Sequence, residues 1–170
     1  YQWSNGQSGP NAAGLAAGIY TVMLSDQNNC TLTQSVNIGQ PPALTLNTQA
    51  FDATCFGLSN GSIQSFPGGG TPGYNFQWSN GANTQNQSNI PAGTYTLILS
   101  DANNCTETQA VTVGQPTQIT LNALQSNVSC FGLSDGAIQS FPAGGTPGYN
   151  FQWSNGATTQ DLDNLPAGTY

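Results

Sequence analysis

The chain has 170 residues with seven carboxylates and no Lys, Arg or His, a net charge of −7. Without cations it can neither displace the counterions of a phosphate backbone nor hold an anionic membrane surface, so nucleic-acid partners and direct membrane contact are excluded. The usual general bases near neutral pH are also missing, and neither a histidine zinc site nor a Ser-His-Asp triad can be assembled, so no catalytic residue and no cofactor is expected.

In chain order the first landmark is Gln2-Trp3-Ser4-Asn5-Gly6. It returns at Gln77 and at Gln152, and Trp3, Trp78 and Trp153 stand 75 residues apart. Tyr20, Tyr95 and Tyr170 keep the same step, as do Cys30 with Cys105 and Cys55 with Cys130. Such a period marks an array of units, not one domain. Boundaries near Ala43 and Gln118 give the C-terminal part of a repeat at 1–43, a complete repeat at 44–118 and the N-terminal part of a repeat at 119–170. A chain that starts and stops within a unit is expected to be a window on a longer array. Low charge and many Asn and Gln resemble a disordered tract. The recurring aromatics and periodic apolar residues argue against that reading.

The complete repeat predicts six strands. Leu44-Thr45-Leu46-Asn47 alternates apolar and polar residues. After a loop ending in Asn60-Gly61, Ile63 to Phe66 forms a second strand, expected to stop at Pro67. Tyr74, Phe76 and Trp78 then alternate with polar residues, so the three aromatics share one face. Asn80-Gly81 signals a hairpin, and Thr84 to Ile90 is a weak fourth strand. Tyr95, Leu97 and Leu99 face inward on the fifth, Val111 and Val113 on the sixth. Short strands between Gly, Pro and Asn turns indicate an all-β fold, tandem immunoglobulin-like β-sandwich repeats of 75 residues. Trp3, Trp78, Trp153, Tyr20, Tyr95 and Tyr170 are read as core, and Leu165-Pro166-Ala167-Gly168-Thr169-Tyr170 as the turn into a tyrosine corner. Met23 and Ile98 point to the opposite face, where a loop or the neighbouring repeat is expected to cover them.

Two cysteines per repeat suggest disulfides. Cys55 can pair with Cys105 inside one repeat, or Cys30 with Cys55 between neighbours. Six strands alternating up and down would bring Cys55 and Cys105 to one end, which favours that pair and leaves Cys30 and Cys130 partners outside the chain. Closing such a loop, about 50 residues, would stabilise the unit by roughly 4 kcal/mol.

Other polar groups have sharper and plainer readings. Asp26 and Asp101, each followed by two nearby Asn, are weak Ca²⁺ candidates, but the same residues suit a tight turn. Trp78 could stack on a sugar, although it shares a face with Tyr74 and Phe76. Asp161 and Asp163 replace Asn86 and Ser88 and read as a solvated face. A Cys-Gln thioester is conceivable, but the regular cysteines make disulfides the better reading.

The ordered set Tyr74-Asn75-Phe76-Gln77-Trp78-Ser79-Asn80-Gly81, then Pro91-Ala92-Gly93-Thr94-Tyr95, Ser100-Asp101-Ala102-Asn103-Asn104-Cys105-Thr106 and Gly114-Gln115-Pro116, resembles the SprB repeat. The resemblance implies a secreted protein of the bacterial cell surface, exported by type IX secretion and serving adhesion or gliding. It carries no catalytic residues. Expected partners are neighbouring repeats of the same chain, surface glycans or other copies of the filament. Near-identical repeats without chemistry suggest a structural stalk.

Overall fold

A computed structural model describes residues 1–170. No helix forms. Residues 1–43 give β1 (Gln2–Trp3), β2 (Gly18–Ser25) and β3 (Thr31–Ile38), in one antiparallel sheet. The complete repeat holds β4 (Thr45–Phe51), β5 (Gly61–Gly68), β6 (Asn75–Trp78), β7 (Gln87–Ile90), β8 (Gly93–Ser100) and β9 (Thr106–Val113). Then follow β10 (Thr120–Ser126), β11 (Gly136–Ala143) and β12 (Leu162–Leu165).

In the complete repeat the strands divide into two three-stranded antiparallel sheets, β4-β5-β7 and β6-β8-β9. Leu46, Ile63 and Ile90 of the first pack on Trp78, Tyr95, Leu97, Leu99 and Val113 of the second. The alternation in β8 explains this face: Tyr95, Leu97 and Leu99 are buried, while between them Thr96 is half-buried and Ile98 exposed. The repeat is thus a small two-sheet β-sandwich with three strands in each sheet. Each partial unit carries one sheet only: β1–β3 correspond to β6, β8 and β9, and β10–β12 to β4, β5 and β7. In the complete repeat Leu99 is fully buried between the two sheets.

The path differs from simple up-and-down alternation. Trp78 N–H donates to the Ala82 carbonyl and Gly81 N–H to the Trp78 carbonyl, so Asn80-Gly81 does make a tight turn. The chain after it crosses to the other sheet, and β6 and β7 never pair. Both run in the direction of β4, because β5 is antiparallel to β4 and to β7, and β8 is antiparallel to β6 and to β9. Ala53 N–H donates to the Gly114 carbonyl, which joins the ends of β4 and β9 and makes these two strands parallel. The chain thus enters at a lower end, before β4, and leaves at an upper end, after β9.

This overturns the Cys55–Cys105 bridge. Cys55 follows the upper end of β4, and Cys105 precedes the lower end of β9. A strand of that length separates them by roughly 25 Å, far beyond the Cα spacing a disulfide allows. All four cysteines, Cys30, Cys55, Cys105 and Cys130, are exposed free thiols.

Two smaller corrections follow. β5 continues through Pro67, opposite Leu46, although it is a central strand. β7 pairs only with Gly61 to Ile63, so the missing N–H of Pro67 falls where no strand runs alongside. Met23 and Ile98 are about 40% exposed; neither a loop nor a neighbouring repeat covers them.

Candidate functional site

The polar residues of the repeat gather at the two ends and on one outer sheet face. At the lower end Asp101 opens the β8–β9 turn. Its Oδ1 accepts the N–H groups of Asn103 at 2.9 Å and Cys105 at 2.8 Å, and its Oδ2 accepts Thr71 N–H at 2.9 Å. Asn104 completes the turn at φ +61°, a conformation Asn tolerates. Thr71 lies on the β5–β6 crossover, and its hydroxyl receives a further bond from the Asn103 amide at 2.8 Å. The carboxylate therefore ties the turn of one sheet to the strand crossover from the other. These N–H donors, Thr71 first among them, hold the Asp101 carboxyl below the usual carboxylate range against a smaller opposing effect of burial.

Asp26 makes the same turn in the first unit, accepting Asn28 and Cys30 N–H groups, each at 2.8 Å. The oxygens proposed for Ca²⁺ thus face N–H donors, and no group of three or more Asp, Glu, Cys or His side chains assembles anywhere.

At the upper end Asp52 Oδ1 accepts Gly114 N–H at 2.7 Å, and Gln115 Oε1 accepts Gly57 N–H at 2.8 Å. With the Ala53–Gly114 backbone bond, they fasten the segment leaving β4 to the segment leaving β9. The sequence showed Gly114-Gln115-Pro116 only as a motif of the repeat and not this fastening. Its recurrence as Gly39-Gln40-Pro41 was the available signal.

Side chains replace strand pairing where the chain changes sheet. Ser65 N–H donates to Asn86 Oδ1 at 3.0 Å and Ser65 Oγ to the Gln85 carbonyl at 2.6 Å. In the next unit Ser140 N–H donates to Asp161 Oδ1 at 2.8 Å, so Asp161 has a structural partner beyond solvent. Asp163 is exposed. In the loop after β10, Asp135 accepts the hydroxyl and the N–H of Ser129, which lower its carboxyl below the usual range.

The aromatic markers are anchored alike in all three units. Trp78 is 2% exposed, which leaves no free ring face for a sugar, and its Nε1–H donates to the Thr84 carbonyl at 2.8 Å. Trp3 donates to the Gly9 carbonyl and Trp153 to that of Thr159. Tyr95 donates its phenol to the Pro91 carbonyl at 2.8 Å, Tyr170 to that of Pro166 and Tyr20 to that of Ala16. This is the tyrosine corner, four residues back in each case. Trp3, Trp153, Tyr20 and Tyr170 are half-buried, in units with a single sheet.

On the outer face of β6 and β8 lies an open cleft of about 400 Å³ around Ile98 and Gln77. Its lining is uncharged.

The family model of the SprB repeat matches residues 47–83 and again 122–158. Each match runs from the first strand of a unit to the tight turn after its tryptophan, and the two start 75 residues apart. No curated protein and no solved structure matches the chain. SprB repeats occur in cell-surface proteins, and the match fits an end-to-end array without a catalytic constellation. The SprB-repeat motif is thus found twice, at the spacing of the whole repeat.

Proposed function

We propose that the chain is a load-bearing stalk segment of a secreted cell-surface adhesin or filament, exported by type IX secretion and used in adhesion or gliding. The observation that carries this reading is the parallel course of β4 and β9. Tension enters β4 at the lower end and leaves β9 at the upper end, so it shears these strands past each other. The Ala53–Gly114, Asp52–Gly114 and Gly57–Gln115 bonds between the two strand ends then resist the shear together. The Asp52, Ala53 and Gln115 bonds lie where β9 hands the load to the next unit. The short, proline-bearing connection Gly114-Gln115-Pro116 restricts bending between units. The reading assigns the chain no catalytic role.

Pulling the full chain by its two ends tests the proposal. The complete repeat is expected to unfold in one event at substantial force, lengthening by roughly 20 nm at about 3.5 Å per residue. Replacing Asp52 and Gln115 by Ala should lower that force. Reductant should change nothing, because no disulfide limits extension. A gradual lengthening without a discrete event, or an unfolding force indifferent to both substitutions, would remove the reading.

A further inference from the structure

The exposure of Ile98 is unexplained by the stalk. It sits on the outer face of β8, beside Gln77 of β6, at 41% exposure. Asn75, Asn83 and Ser100, with Tyr74 and Phe76, form the rest of the cleft wall around it. The neighbouring amides are spent inside the repeat: Asn80 bonds Gln87, Gln85 bonds the Ser65 carbonyl, and Asn86 accepts the Ser65 N–H. The side chains of Asn75, Gln77, Asn83 and Ser100 make no such bonds. Three free amides and a hydroxyl therefore converge on an apolar side chain, with no charged group among them.

We propose that this face is a weak binding site for an uncharged glycan, one site per complete repeat. A sugar ring offers hydroxyls that both donate and accept, which carboxamides match in both senses. Its C–H face needs an apolar contact, which Ile98 supplies. Acidic or sulfated sugars are disfavoured, since a chain with seven carboxylates and no cation has nothing to neutralise them. The shallow, open cleft gives low affinity, and repetition compensates for it. Gln2, Met23 and Ser25 hold the corresponding positions one period earlier, with Ser8 in place of Asn83, and sites at a fixed spacing on one polymer act by avidity. The proposal builds on a surface location, yet its test is independent of the pulling experiment: a rod that bears load without binding sugar would sink this inference alone.

The experiment is an amide-resolved NMR titration of the full chain with maltohexaose, cellohexaose and chitohexaose, and with a uronate oligomer as the charged comparator. At least one neutral oligomer should shift the signals of Asn75, Gln77, Asn83 and Ile98, saturating in the millimolar range. Asn75→Ala with Gln77→Ala, and separately Ile98→Thr, should each weaken binding by about tenfold or more. Both act at exposed positions, so the melting temperature should stay unchanged. The inference fails if no neutral oligomer shifts these signals, if the shifts lie elsewhere, if they survive both variants, or if the uronate binds as well.

Discussion

Asp101 accepts the backbone N–H of Thr71 at 2.9 Å, a bond that spans from the β8–β9 turn of one sheet to the crossover leaving the other. Gly70 lies so close that a Cβ there would stand 2.9 Å from the same carboxylate. The anion is held by three N–H groups and no cation, so its stability contribution depends on the proton alone. Its carboxyl is lowered from 3.8 in the fold. A group lowered on folding stabilises above its unfolded value and loses that contribution as pH falls through its folded value. Asp101→Asn should therefore melt below the wild type at neutral pH, with the gap closing as pH drops below about 4. Thermal melts of both proteins across this range check it; a constant gap would mean the charge is not what matters.

The two sheets bury one side of β8, whereas the other side carries the exposed Ile98. Leu99→Ala should cost about 2–5 kcal/mol in the complete repeat. Ile98→Ala, on the exposed side of the same strand, should cost under about 1 kcal/mol. Urea unfolding of the two variants makes the comparison, and equal losses would contradict the assignment of one buried and one exposed side to β8.

Much of this was readable in advance because alternation is local. Tyr95, Leu97 and Leu99 announce their face by period two, and Asn80-Gly81 announces its turn. The turn does not say which sheet receives the next strand. That choice rests on Ser65 holding Gln85 and Asn86 from 20 residues away, a contact invisible until the chain has folded. The cysteine pairing failed for this reason: one strand assigned to the wrong direction moved Cys105 to the wrong end. Asp52 and Gln115 were overlooked because their partners, Gly114 and Gly57, lie 62 and 58 residues distant. Ile98 was correctly seen as out of place, but the expectation that something within the array covers it came from treating every exposed apolar group as awaiting the core.

Gly69 and Gly81 both have positive φ, +64° and +86°, in different surroundings. A Cβ on Gly69 would stand 1.8 Å from the Ala43 carbonyl oxygen, a backbone atom that cannot rotate away. A Cβ on Gly81 meets nothing within 4 Å. Gly81→Ala should therefore cost only the left-handed conformation, about 1–2 kcal/mol. Gly69→Ala must displace the strand leading into β4 as well and should cost more than about 3 kcal/mol. Similar melting temperatures for the two variants would show that the chain before β4 yields easily, which the bond from Gly70 N–H to the Pro42 carbonyl at 2.8 Å argues against.

The thiols provide the sharpest check on the strand path. Cys105 and Cys30 are fixed on turns whose N–H groups are held by Asp101 and Asp26. Cys55 lies past the far end of β4, with the length of the sandwich between it and Cys105. Native chain kept without reductant should therefore react at all four cysteines with a chromogenic disulfide reagent. Its melting temperature should be the same with and without dithiothreitol. An intact bridge would hide two thiols and add about 2–4 kcal/mol that reductant removes. Two unreactive thiols in monomeric chain, together with such a loss, would place Cys55 and Cys105 at one end. β7 would then have to run against β6, and the parallel course of β4 and β9, on which the load-bearing reading rests, would be lost with it.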